Sequence, residues 1–121
     1  MRLLQVAQRA EDLDRAAAFY ARLLDAAPIA RFAAPDLVFF EMAGVRLLLD
    51  REAPSAVFSF EVDNVHEAIE RLGGEAHVLQ HPAVAVRHED DSIGPTGYDE
   101  WQSFIGDSEG NRIGLVSFQR P

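Results

Sequence analysis

The chain repeats itself, and the repeat restricts what it can fold into. Residues 3–24, "LLQVAQRAEDLDRAAAFYARLL", align with residues 56–74, "AVFSFEVDNVHEAIERLGG", at a shift of 52, pairing Val6 with Phe58, Ala10 with Val62, Leu13 with Val65 and Ala16 with Ala68. Both segments read as a strand, a capping residue and an amphipathic helix. In the first, Leu13, Ala16, Ala17, Tyr20, Leu23 and Leu24 recur at helical spacing after Asp12; in the second, Val65, Ala68, Ile69 and Leu72 do so, with Asp63 or Asn64 as cap and Gly73 and Gly74 as stop signals. Strand patterns follow each helix. They are "PIARF", "LVFFEM" and "VRLLLD" in the first half, then "EAHVLQ", "AVAVRH", "EWQSFIG" and "RIGLVSF" in the second, which also holds the acidic Gly/Pro loop "EDDSIGPTGYDE". Each half reads β-α-β-β-β, residues 1–54 and 55–121, with "REAPSA" as the linker. Neither half carries enough apolar surface to stand comfortably alone, so the expectation is one domain, 1–121, with a shared core.

Charge and composition exclude several function classes. The net charge of −9, from 20 acidic and 11 basic residues, argues against nucleic acid, whose binding needs clustered positive charge. An acidic surface would favour a cationic ligand, although solubility alone also accounts for it. All the basic residues are arginine, so Schiff-base chemistry on lysine is excluded; the absence of cysteine excludes disulfides and thiolate chemistry. No apolar stretch approaches the ~20 residues of a membrane helix, and the apolar run at the N-terminus is too short for a signal peptide. The expectation is a cytoplasmic protein with no membrane partner.

The closing stretch "FIGDSEGNRIGLVSF", residues 104–118, reads as a hairpin whose Asp-Ser-Glu-Gly-Asn turn is followed by a strand with Gly114 in its middle. A glycine inside a strand marks a bulge or a close approach. With the repeat, this turn and the opening Asp-Leu-x-Arg-Ala-x-x-Phe-Tyr helix resemble the vicinal oxygen chelate superfamily of glyoxalases, bleomycin resistance proteins and extradiol dioxygenases. The resemblance covers essentially the whole chain. It implies an α+β fold in which two βαβββ modules form a curved mixed sheet around a cavity, with helices on the outer face.

Metal-dependent members of that family place a His or Gln in the first strand of each module and a Glu in the last, so that a divalent ion can chelate two neighbouring substrate oxygens. Carried onto this chain, the positions are Gln5, Leu48, Val57 and Gly114; Leu48 and Gly114 are themselves related, because "GVRLLL" and "GNRIGL" align at a shift of 66. Only Gln5 has a donor, a weak neutral one, so no divalent metal or other cofactor is expected. Glu41, Asp50 and Glu61 are the remaining strand carboxylates, at unmatched positions. His77 and His81 are four apart in a strand pattern, a span of ~13 Å that no single ion bridges. His66 reads as solvent-facing on its helix. The run Glu89, Asp90, Asp91 offers a general acid or base, but reads more simply as a solvated loop.

Alternation along the strands gives the expected lining. With Gln5 pointing into the cavity, as the resemblance implies, so do Ala7 and Arg9, with Arg46, Leu48 and Asp50; Val57, Ser59, Glu61, Arg112, Gly114, Val116 and Phe118 do so from the second module. Tyr98 and Trp101, beside the long loop, supply aromatic surface for stacking, whereas Phe39 reads as core. The candidate ligand-binding residues are Gln5, Arg9, Leu48, Val57, Ser59, Tyr98, Trp101 and Gly114, with no catalytic residue assigned. The resemblance and these departures from it predict a homodimeric, metal-free protein that binds a small cationic or aromatic organic molecule by sequestration, as the bleomycin-resistance branch does with antibiotics. The alternatives are a metal-dependent lyase, isomerase or dioxygenase of the same superfamily, or a contact domain whose site has decayed.

Overall fold

Asp12 and Asn64 each start a helix by accepting backbone hydrogen bonds that the first turn leaves unmatched. Asp12 accepts from the N–H of Arg15 at 3.0 Å, opening α1 (Leu13–Leu24). Asn64 accepts from His66 and Glu67 at 2.9 and 3.1 Å, opening α2 (Val65–Leu72), and Gly73 at φ 58° ends it. The structure is a computed structural model that describes residues 3–121.

The strands are β1 (Gln5–Arg9), β2 (Ala30–Phe32), β3 (Leu37–Met42), β4 (Val45–Asp50), β5 (Ser59–Glu61), β6 (His77–Arg87), β7 (Asp99–Gly106) and β8 (Arg112–Gln119). They form two four-stranded mixed sheets of the same design, β1-β4-β3-β2 and β5-β8-β7-β6, in which only the β1/β4 and β5/β8 pairs are parallel. Ala43 and Gly44, at φ 48° and 89°, make the tight turn between β3 and β4. The segments "EAHVLQ" and "AVAVRH", expected as two strands, are one strand, β6, carried past Pro82 by irregularities in its register with β7. Proline is tolerated there because β6 lies at the sheet edge.

By contacts the chain divides into two units. One runs to Ala56 and takes in Asp107–Asn111; the other comprises Val57–Gly106 and Arg112–Pro121. In the first, Val38, Phe40, Leu47 and Leu49 are fully buried, and Leu13, Ala16, Phe19, Tyr20 and Leu23 of α1 are buried with them. In the second, Ile105, Ile113 and Leu115 are buried together with Val65, Ala68 and Leu72 of α2. Each large apolar side chain so buried contributes roughly 1.5–3 kcal/mol.

The Asp-Ser-Glu-Gly-Asn turn owes its sequence to the first unit. The Tyr20 hydroxyl donates to Asp107 Oδ2 at 2.7 Å, and Asp107 Oδ1 accepts from the N–H groups of Glu109 and Asn111, both at 2.8 Å. Burial, then the Asp107 carboxylate, hold the Tyr20 phenol well above its ordinary pKa. Asn111 donates to the Arg9 carbonyl at 2.7 Å and accepts from the Ser55 hydroxyl at 2.6 Å. Glu109 accepts from Arg15 through both oxygens, at 2.6 and 3.0 Å, and from the N–H of Asp12 at 2.8 Å. Burial pushes the Glu109 carboxyl up, but the donors from Arg15, Asp12 and Ser108 outweigh it and leave the pKa at about 2. The linker is held as well: the buried Gln8 amide accepts from the N–H of Ala56 at 2.8 Å and donates to its carbonyl at 3.3 Å. Among the described residues no helix is long and apolar enough to cross a membrane.

Candidate functional site

Each sheet has one face against its helix and one turned away from it, and the register assigns every strand residue. In the first unit Leu47 and Leu49 pair with Val6 and Gln8 on one side and Phe40 and Val38 on the other, all on the α1 face. The opposite face therefore holds Gln5, Ala7 and Arg9 of β1, Arg46, Leu48 and Asp50 of β4, and Leu37, Phe39 and Glu41 of β3. At one end of it Arg46 Nε donates to Gln5 Oε1 at 3.1 Å, and the Arg46 guanidinium carbon lies 5.7 Å from the centre of the Phe39 ring. Phe32 meets Phe39 edge-on, with ring centres 5.8 Å apart. Leu48, beside Ala7 and Phe39, is almost fully buried.

In the second unit the N–H of Val65 donates to Ser117 Oγ at 3.2 Å, which places Ser117 on the α2 face. The face turned away holds Ser59 and Glu61 of β5, Arg112, Gly114, Val116 and Phe118 of β8, and Glu100, Gln102 and Phe104 of β7. A Cβ added at Gly114 would lie 2.3 Å from Ser59 Oγ and 3.3 Å from Phe104 Cε1. The missing side chain is thus replaced by a serine hydroxyl and a ring edge. Arg112 lies over Phe104 at 4.9 Å.

These placements sort the candidates. Gln5 and Leu48 share one face of the first sheet, with Arg9 at its exposed end. Ser59 and Gly114 are direct partners in the second sheet. Val57 precedes β5 and is exposed. Trp101 requires correction, because it pairs with Ser117 and its ring meets His66 of α2 at 5.0 Å, on the face opposite Gly114. Its neighbour Tyr98 lies just before β7, where Arg120 covers the ring at 4.5 Å. His66 is exposed apart from that ring contact, and His77 and His81 are exposed on β6.

The long loop is organised by a residue that sequence reasoning passed over. His88 is buried, with Nε2 2.9 Å from Glu100 Oε1 and its ring 5.7 Å from Phe118. Gly94 packs so closely on it that an added Cβ would lie 2.5 Å from Cε1. The acidic run is tied into the same loop: Asp90 accepts from Ser92 and Asp91 from Thr96, and these hydrogen bonds draw both carboxyls below their ordinary pKa. An open depression of about 330 Å³ beside α2, lined by Val62, Asp63, Asn64, Glu67, Ala68 and Arg71, contains none of the candidates.

No family model matches the sequence, and no curated protein matches it significantly. Solved structures do. A lactoylglutathione lyase from Agrobacterium tumefaciens superposes with a TM-score of 0.70 at 23% identity, covering 96% of this chain and 92% of that one. A glyoxalase-related enzyme from Fulvimarina pelagi gives 0.70 at 16%, covering 96% and 87%. A glyoxalase/bleomycin resistance protein/dioxygenase from Alicyclobacillus acidocaldarius gives 0.64 at 16%, covering 97% and 91%. The fold is the one shared with these glyoxalase and glyoxalase/bleomycin resistance protein/dioxygenase structures. At the metal positions that the sequence resemblance implies, the residues do not fit an ion. The Gln5 oxygen is engaged by the Arg46 guanidinium, Leu48 and Val57 have no donor, and Gly114 is closed by Ser59. Among the described residues no three His, Asp or Glu side chains converge as a metal site would need.

Proposed function

We propose that this chain binds a small organic molecule without a metal ion and without chemistry on it, in the manner expected of a sequestering member of the vicinal oxygen chelate superfamily. One observation carries the reading: Arg46 bonds Gln5, the single superfamily metal position that retains a donor. A divalent cation there would face a fixed positive charge, with no carboxylate at the equivalent positions to offset it. The half-buried faces with charge at their margins suit a ligand gripped by shape and a few polar contacts. Plasma mass spectrometry of purified protein, after exposure to nickel, zinc, manganese and iron salts and desalting, tests this. Less than about 0.1 metal per chain is expected by the weak-donor argument; a value near one per chain overturns the proposal. A thermal-shift screen of organic compounds on the metal-free protein then supplies ligands.

A further inference from the structure

The face turned away from α1 has a feature that the loss of metal ligands does not require. Gln5 fixes the Nε edge of Arg46, and the guanidinium lies over Phe39 within cation–π range. Among the described residues the terminal nitrogens Nη1 and Nη2 have no hydrogen-bond partner. Glu41 is opposite Arg46 in the register, but its Oε1 accepts from the N–H of Gly44 at 2.8 Å, and no ion pair joins it to Arg46 among the described residues. A guanidinium steered at one edge and open at the other presents two parallel N–H donors, the geometry that matches a pair of carboxylate oxygens. Beside it, Phe39 and the exposed Phe32 offer apolar surface.

We propose that Arg46, held by Gln5 and bedded on Phe39, is a seat for the carboxylate of a planar organic anion whose apolar body lies along Phe39 and Phe32. This rests on the metal-free binding reading above, and it turns the expectation from acidic composition around: the ligand group met at this face is negative. The guanidinium supplies in one rigid fork the oxygen-pair recognition that relatives obtain from a metal. The net charge of −9 opposes long-range capture of an anion, so affinity has to come from these local contacts.

The second module contains an internal control. Arg112 is the equivalent of Arg46 at the shift of 66 and lies over Phe104, but the residue equivalent to Gln5 at the shift of 52 is Val57, and Arg112 is exposed. Benzoate titrated into isotope-labelled protein, followed by backbone amide shifts, separates the two. Saturable shifts at residues 5–7, 39–41 and 46–48, with a Kd on the order of 1 mM, are expected for so small a ligand. Arg46→Gln weakens binding at least tenfold, and Arg112→Gln changes it less than twofold. Arg46→Met, which keeps the apolar stem, gives the same loss and guards against a folding defect, read by unchanged melting. Inorganic phosphate, which has no apolar body, binds at least tenfold more weakly than benzoate. Absence of saturation, equal loss in both arginine variants, or phosphate binding as well as benzoate overturns the inference. Each of these failures leaves metal content at zero and so is distinguishable from failure of the binding reading itself.

Discussion

In the first module Leu48 stands opposite Ala7 and Arg46 opposite Gln5, whereas the second sets Gly114 against Ser59 and leaves Arg112 with no polar residue at the position equivalent to Gln5. The register of the three central pairs is the same; the volumes and donors are exchanged. The first module fills its middle with a leucine and fixes a charge beside it, while the second fills its middle with a hydroxyl and a ring edge and lets its arginine reach solvent. A duplicated scaffold can thus keep the strand order and the central parallel register and still make its two halves chemically different, because the side chains on the face away from the helix are free of the packing that α1 and α2 impose.

The largest test of this contrast is steric. Leu48→Ala removes a buried side chain and should cost about 2–4 kcal/mol in urea unfolding. Gly114→Ala should cost about 1–2 kcal/mol, for the opposite reason that Ser59 already occupies the space. Ser59→Gly in the same chain should recover part of that loss, with a coupling of at least ~0.5 kcal/mol. A neutral Gly114→Ala would mean that the hydroxyl does not close the position.

A smaller effect separates the helices. The start of α1 depends on Glu109 through the N–H of Asp12 and the side chain of Arg15, whereas α2 is capped by its neighbour Asn64. The folded Glu109 pKa of about 2 lies below its ordinary 4.5, so its contribution is complete above pH 4.5 and is lost as pH falls toward 2. Glu109→Gln should lower stability by about 1.5–3 kcal/mol at neutral pH. It should also flatten the acid limb of the stability curve between those two values. An unchanged limb would locate the acid sensitivity elsewhere.

The smallest expected effect sharpens the assignment of faces. Trp101→Phe should leave benzoate affinity within twofold, since the indole is on the α2 face with His66. A tenfold loss would return Trp101 to the binding surface.

Much of this was legible in the residues. The helices announced themselves through Asp12, Asn64 and their apolar stripes, and alternation placed Gln5, Arg46, Leu48, Ser59 and Gly114 on their faces. Trp101 lies beside a Gly/Pro loop, a position that suggests a binding lid, but its parity along β7 sets it on the other face. The turn at 107–111 sets Ile105 opposite Ile113, which puts Phe104 with Gly114 and therefore Trp101 on the other side. Phe39 read as core, since a strand aromatic does not declare whether its ring meets a helix or a guanidinium. His88 and Glu100, 12 positions apart, were hidden by the loop between them, and the register irregularities of β6 leave no mark that alternation can read. The partners of Tyr20 and Arg15 lie 87 and 94 residues downstream, beyond the reach of any local pattern.

That last distance sets an order of events when the chain is made. The strands and helix of the first unit are complete once residue 56 has been joined, yet the turn that receives the Tyr20 hydroxyl, the Arg15 guanidinium and the Arg9 carbonyl is added only after residue 106. A chain growing from its N-terminus therefore carries a first module with empty sockets through half of its synthesis. Its completion waits for the closing hairpin, and a message cut short before residue 107 would yield a first module that can never be finished.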